Sequence, residues 1–557
     1  MTFLVIFFIS LLSTIFLTPY LIMVLQKSGV IDAPAKRKIH QGSIPRMGGL
    51  VIFLVVFTLT LTFYSDISSI RFFLLGMIVI AICGSIDDVI GIKWNTKFLL
   101  QSIAVALLML QLINQINEIH FFSIVLPAYV AFPLMFIFLL GTINSVNLMD
   151  GMDGLVSSYS LFTASVLFLL AMNINNFFLL VILSAICGSL LGYLKFNGFP
   201  ARVFLGDFGS LFLGYLLVAL SSMVSIGFNN NTLDLAFPIL LLSIPIIDTL
   251  KVFFKRIFLG KHPFLPDNEH LHHIIYRNRV RHKTTVFLIL IYNLMFVGLA
   301  VYYILNRNLD VFYFYLPIVL GLIFAKQIFE FSLRFEKFQG IIKSLTQIPA
   351  EMFRVTYKIF VPFTIAAVLL ITFILFPLQT EINQQNLIIM LSLGVITLVL
   401  AIFHKRYNHQ LILNIYFFFN VSIFLIVSSY PNSLFKLSYL FSTNVKFALV
   451  LVSLIVVLLF IGLFVVGRER ILPKEKIFLT GIDLTMAVFV IGSFFVENLF
   501  ENLLIINIPQ AIFIAYLLYI WFKIIYLFNS KLASVIFITS FLVPITALAY
   551  LLLTKLI

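Results

Sequence analysis

Two adjacent carboxylates open the chemistry of this sequence. They sit in Ile86-Asp87-Asp88-Val89-Ile90-Gly91-Ile92-Lys93-Trp94-Asn95-Thr96-Lys97, between two apolar runs. Acids facing lipid are very costly, so such a pair belongs at a membrane surface or in a wet cavity. Adjacent acids repel each other, so one can hold a raised pKa and act as a base, and both can help gather Mg²⁺. A surface loop beside a membrane would explain the pair alone. What lifts it is the company of other loops rich in Asp, Asn and His.

The segment Asn144-Ser145-Val146-Asn147-Leu148-Met149-Asp150-Gly151-Met152-Asp153-Gly154-Leu155 offers oxygens in a tight turn and carries no Lys or Arg. An ordinary turn explains one Asp-Gly but not the repeat. It lacks the ligand spacing and terminal Glu of an EF-hand. In Phe196-Asn197-Gly198-Phe199-Pro200-Ala201-Arg202-Val203-Phe204-Leu205-Gly206-Asp207-Phe208-Gly209-Ser210, Asp207 lies where a span begins. There it is either a helix cap or a hard-oxygen ligand for Mg²⁺.

His262-Pro263-Phe264-Leu265-Pro266-Asp267-Asn268-Glu269-His270-Leu271-His272-His273 holds four of the nine histidines. Imidazoles there suit phosphate or sugar recognition. A zinc site would need further ligands, and neither cysteine lies in these loops. Asp248, at the end of its span, reads as a capping or snorkelling acid. The stretch Lys36-Arg37-Lys38-Ile39-His40-Gln41-Gly42-Ser43-Ile44-Pro45-Arg46-Met47-Gly48-Gly49 is basic, then glycine-rich. Amides at a helix N-terminus beside bases favour a phosphate, and a basic loop against anionic headgroups is the plainer alternative.

The elements that position these loops are membrane spans. Of 557 residues, 62% are hydrophobic and 10% charged, with a mean hydropathy of +1.13. Soluble domains are about one-quarter charged, so the class is a polytopic membrane protein. The apolar runs are long and continuous, which specifies helices and excludes a barrel of alternating strands. The fold class is therefore all-α, with about 18 spans. The first 25 residues lack a basic leader region and read as a retained span. Cys83 and Cys187 each precede a glycine inside an apolar run and read as packing residues.

The net charge of +14 does not require nucleic acid. Of the 36 Lys and Arg residues, 31 fall in alternate polar intervals, the ones that carry the loops described above. By the positive-inside rule those intervals are cytoplasmic, and both termini lie outside. The chain divides near residue 330. Residues 1–330 carry every chemistry-bearing loop, whereas 331–557 hold about seven further apolar spans with ordinary Lys and Arg between them.

Taken together, the strings KRKIHQGSIPRMGG, GSIDDVIGIKWNTKFLLQ, NSVNLMDGMDGL, FNGFPARVFLGDFGSLFLGY and HPFLPDNEHLHH resemble the polyprenyl-phosphate N-acetylhexosamine-1-phosphate transferases, the MraY/WecA/TagO family. They occur in that family's order over about residues 1–325. The HLHH form is similar to the WecA/TagO branch, which uses UDP-GlcNAc, rather than the MraY branch, which uses UDP-MurNAc-pentapeptide. The resemblance implies transfer of HexNAc-1-phosphate from a UDP-sugar to polyprenyl (undecaprenyl) phosphate in the cell inner (plasma) membrane, with UMP as the other product and Mg²⁺, or Mn²⁺ in its place, as cofactor. It implies Asp207 as the metal ligand and Asp87 as base or acid partner at the lipid phosphate, with Asp88 beside it. Asn147, Asp150, Asp153, Asn197 and Phe204 match the nucleotide pocket, and His270, His272 and His273 the diphosphate and sugar side. Lys97 and Arg46 would meet substrate phosphates. The family pattern ends near residue 325, and dimerisation is one role open to the remaining spans. A lipid-linked sugar transporter or flippase would also explain the span number, but not five polar clusters on one side.

Overall fold

Runs of Leu, Ile, Val and Phe become helices here because lipid offers no partner for a backbone N–H or C=O. The computed structural model describes residues 2–32, 44–260, 269–277, 282–307, 309–325 and 327. The basic stretch 33–43, residues 261–268 and the whole expected second bundle, 331–557, lie outside the described residues.

In chain order the helices are α1 (Thr2–Ser28), α2 (Gly49–Phe63), α3 (Arg71–Ile90), α4 (Trp94–Ile113), α5 (Ala128–Leu148), α6 (Leu155–Asn173) and α7 (Phe177–Asn197). They continue with α8 (Gly206–Phe228), α9 (Ala236–Leu241), α10 (Ser243–Phe258), α11 (Leu271–Arg277), α12 (His282–Asn306) and α13 (Val311–Ile323). Among the described residues eight helices are long and apolar enough to cross a membrane, and α2 and α13 are shorter apolar helices. The two cysteines are buried and free, as packing residues should be.

The central element is α8, which packs on α2, α3, α5 and α6 and is buried along nearly its whole length. Without a hydrophobic drive between helices in lipid, close approach depends on small residues. A side chain at Gly49 would collide with the backbone of Gly209, and one at Gly84 with the backbone of Phe208. These glycines let α2 and α3 lie directly against the start of α8.

The structure departs from a purely helical reading in two small sheets. β1 (Ile31–Asp32) and β2 (Ile44–Pro45) pair antiparallel, Ile31 with Pro45 and Asp32 with Ile44. At the opposite end of the bundle β3 (Glu118–Phe121) pairs antiparallel with β4 (Ile124–Val125) and parallel with β5 (Thr232–Asp234). Asp234 fixes that end, accepting the amides of Phe122, Ser123 and Ala236 and the Tyr303 hydroxyl. These strands are two to four residues long, too short to show an alternating pattern in the sequence.

Candidate functional site

Antiparallel helices bring the ends of α3, α5 and α7 and the starts of α4, α6 and α8 to one end of the bundle. A cavity of about 820 Å³ opens there. Of the residues singled out in the sequence, Arg46, Asp88, Asn147, Asp150, Asp153, Asn197, Phe204, Asp207 and His273 line it. Asp87 and Lys97 lie directly behind Asp207. His270 and His272 do not line it and are buried.

The two adjacent acids do different things, because neighbours on a helix do not face the same way. Asp87 Oδ2 accepts Lys97 Nζ at 2.6 Å and its Oδ1 accepts the Ile92 amide at 3.1 Å. Asp88 turns to α8, where Oδ1 accepts the amide of Asp207 at 3.1 Å and Oδ2 that of Phe208 at 2.9 Å. It is 1% exposed. So α8 is capped by a carboxylate from another helix, in place of the Asp207 cap that the sequence left open. Gly206 has φ +73°, and a side chain there would strike Asp88 and the Met47 amide.

Relieved of capping, Asp207 points its carboxylate into the site. Its Oδ1 accepts Lys97 Nζ at 2.5 Å and Asn147 Nδ2 at 3.1 Å. Lys97 thus bridges Asp87 and Asp207. Asn147 is oriented in turn by the Ser210 hydroxyl, which donates to its Oδ1 at 2.5 Å; Ser210 was in the quoted string but carried no recognisable signal. Asp153 accepts the Ala201 amide at 3.0 Å. The Asn197 side chain accepts from Ser157 at 2.7 Å and donates to the Val203 carbonyl at 3.0 Å. Its amide is therefore committed to shaping the wall that carries Phe204.

The glycine-rich start of α2 does not serve as an anion nest. The Gly48 and Gly49 amides donate to the carbonyls of Phe204 and Leu205, at 2.8 and 3.1 Å. Arg46 reaches the cavity instead through the β1–β2 ribbon, which also brings in Asp32. Tyr276 and His282 line the cavity as well, His282 packing edge-on against Phe199 at 4.4 Å. Nothing in the spacing pointed to them, because each stands alone beyond the histidine motif.

Five carboxylates, Asp32, Asp88, Asp150, Asp153 and Asp207, line the cavity. Removal from water first, then the charges of Asp207, Asp88 and Asp153, push the Asp150 carboxyl up to about 8. Several carboxylates around one cavity offer the hard oxygens that a divalent cation takes. Among the described residues no group of three His, Cys, Asp or Glu side chains could cage a metal. It is compatible with Mg²⁺, which takes one or two carboxylates and completes its shell with water and substrate phosphate. His272 is held well below the usual imidazole range, by burial first and then by His273 and His270, so it stays neutral.

Residues 70–225 match the model of glycosyl transferase family 4. The chain is 30% identical over 299 residues to a probable undecaprenyl-phosphate N-acetylglucosaminyl 1-phosphate transferase of Bacillus subtilis, covering 52% of this chain and 82% of that protein. It is 28% identical over 296 residues to an undecaprenyl-phosphate alpha-N-acetylglucosaminyl 1-phosphate transferase of Thermotoga maritima, covering 52% and 88%. A phospho-N-acetylmuramoyl-pentapeptide-transferase of Caldicellulosiruptor bescii is 29% identical over 206 residues, covering 35% and 64%.

Proposed function

The chain belongs to glycosyl transferase family 4, and from that membership we infer that it transfers N-acetylglucosamine-1-phosphate from UDP-GlcNAc to polyprenyl phosphate. The products are polyprenyl-diphosphate-N-acetylglucosamine and UMP, the first lipid-linked step of a cell-envelope polymer. The relatives named for the GlcNAc reaction match over more of their length than the muramoyl-pentapeptide enzyme does, which disfavours the peptide-bearing substrate.

The observation that carries the reading at the site is Lys97, whose ammonium joins Asp87 and Asp207 beside the cavity. Two polyanions must meet for this reaction, and positioning plus charge compensation supplies most of the rate in phosphoryl transfer. In a single displacement an oxygen of the lipid phosphate bonds to the β-phosphorus of UDP-GlcNAc. The bond from that phosphorus to the bridging oxygen breaks, and UMP leaves. Asp87 takes or orients the remaining proton of the lipid phosphate, while Lys97 holds Asp87 and Asp207 in register. Asn147 keeps Asp207 aimed at the cavity. Phe204, Asn197 and Asp153 shape the nucleotide side, and Arg46 and His273 face the phosphates and sugar. Mg²⁺, held by Asp207, would neutralise diphosphate charge when bound. The positive-inside bias of the sequence supports a cytoplasmic, plasma-membrane position for this cavity.

The test is UMP release by purified protein in detergent. Release is expected from UDP-GlcNAc only when undecaprenyl phosphate and Mg²⁺ are both present. Absence of lipid-dependent UMP would refute the assignment.

A further inference from the structure

One residue of the histidine segment lines the cavity and two buried ones do not. His273 lines the cavity. Behind it, the His272 and His273 rings lie 4.2 Å apart, and the His270 and His272 rings are nearly parallel at 6.0 Å and 7°. His272 is wedged against the Asp-Gly loop, for a side chain at Gly151 would strike its Nε2. A row of three imidazoles, the last tilted by 44° to its neighbour, needs something to set its orientation.

That something lies on α10. Asp248 Oδ2 is 2.9 Å from His270 Nδ1, and Asp248 Oδ1 accepts the Leu271 amide at 2.8 Å. The Asp248 and His270 side chains are each 7% exposed. Because Leu271 opens α11, one carboxylate fixes both a ring and the start of the helix that carries His272, His273 and Tyr276. A carboxylate accepts, so the proton on His270 sits at Nδ1 and Nε2 is its acceptor face. A second tie from α10, Lys255 Nζ to Glu269 Oε2 at 2.6 Å, is part-exposed and contributes little by itself.

We propose that Asp248 is the positioning residue of the histidine segment. It sets the tautomer and orientation of His270 and through α11 aims His273 at the sugar-diphosphate side of the cavity. The kinetic part of this proposal rests on the transferase reading, whereas the Asp248–His270 pairing does not. An Asn at 248 has one accepting oxygen, so one of the two donors would face an NH₂ group. Buried donors left that way are costly, while on the nucleotide wall Asn197 bonds Ser157 and the Val203 carbonyl and Asp153 accepts the Ala201 amide, none of these partners on α10.

The experiment compares wild type, Asp248→Asn, His270→Gln and the double variant in detergent. In Asp248→Asn, kcat/KM for UDP-GlcNAc is expected to fall about 10–100-fold, as for other carboxylates that orient a functional histidine. The inhibition constant of UDP should stay within about 3-fold, and the double variant should be no worse than the poorer single one, as for residues acting in one unit. Near-wild-type turnover would overturn the proposal. So would a parallel loss of UDP affinity, the mark of a loosened fold, or losses that multiply. Independently of any activity, ¹⁵N-histidine-labelled wild-type protein should show a downfield Nδ1 proton that disappears in both His270→Gln and Asp248→Ala. Its absence from wild type overturns the pairing. Wild-type protein that shows this resonance but releases no UMP would refute the transferase reading and leave the pairing intact.

Discussion

At the scale of the residue, one ammonium serves two carboxylates, and each partner carries a separate expectation. Asp207→Asn should abolish Mg²⁺-dependent UMP release while the protein stays monodisperse, because a neutral amide is a poor hard-oxygen ligand and also breaks the pair with Lys97. Activity near wild type at ordinary Mg²⁺ concentrations would remove Asp207 from that role. Asp87→Asn should lower kcat by roughly 10²–10⁴-fold with little change in KM for UDP-GlcNAc, since a proton acceptor acts in the transition state. A raised KM with intact kcat would make Asp87 a binding residue. Asp150 makes a pH prediction. Its carboxyl is pushed up to about 8, mainly by burial, against an ordinary value of 3.8. Between those values the folded chain keeps a proton that the unfolded chain has lost, so stability falls as pH rises through that window and levels off above it. In metal-free buffer, Asp150→Asn should therefore melt higher than wild type at pH 9, by at least roughly 2–4 °C, and the gap should shrink toward pH 5. An unchanged gap would contradict it. The types of these residues were legible because acids and histidines are few in so apolar a chain, 22 Asp plus Glu and 9 His. Their directions were not: Asp87 and Asp88 are adjacent in sequence, yet one faces α4 and the other α8.

At the scale of the element, the start of α8 is the joint on which the site depends. Its first amides are held by Asp88, and its backbone lies against Gly49 and Gly84. Asp88→Ala should cost about 1–2 kcal/mol, as for the loss of a helix cap, and should also depress turnover because Asp207 rides on the freed turn. Gly49→Val meets backbone at Gly209 rather than a side chain that could yield. It should cost at least about 1–3 kcal/mol, the range for overpacking, without touching any carboxylate. Thermal unfolding in detergent, followed alongside UMP release, separates the two. If Gly49→Val melts like wild type, α2 and α8 are not in direct contact. Helix positions were readable from apolar run length. The ties between helices were not, because a cap supplied from 119 residues away leaves no local pattern. The same holds for the short strands, and for the glycines of the Arg46 loop, whose amides hold carbonyls instead of phosphate.

At the scale of the molecule, the family relatives account for about half of the chain, and the described residues that line the cavity run from Asp32 to His282. Residues 331–557 are outside the described structure, but their sequence carries no Asp-rich loop like those of the first part, with Asp483 its single aspartate. We therefore propose that transferase activity resides in residues 1–330 and that the later apolar spans serve another end. A protein ending near Lys343 should keep lipid-dependent UMP release in detergent, within about 10-fold of the full chain. Helices in lipid associate by shape and small residues, so later spans can brace the first bundle without touching the chemistry. Poor expression of the shortened chain would report that bracing alone. The informative comparison uses shortened protein that elutes as a single species and still binds UDP-GlcNAc. If such protein releases no UMP, the later spans deliver the lipid phosphate or complete its site, and the boundary near residue 330 does not separate chemistry from scaffold.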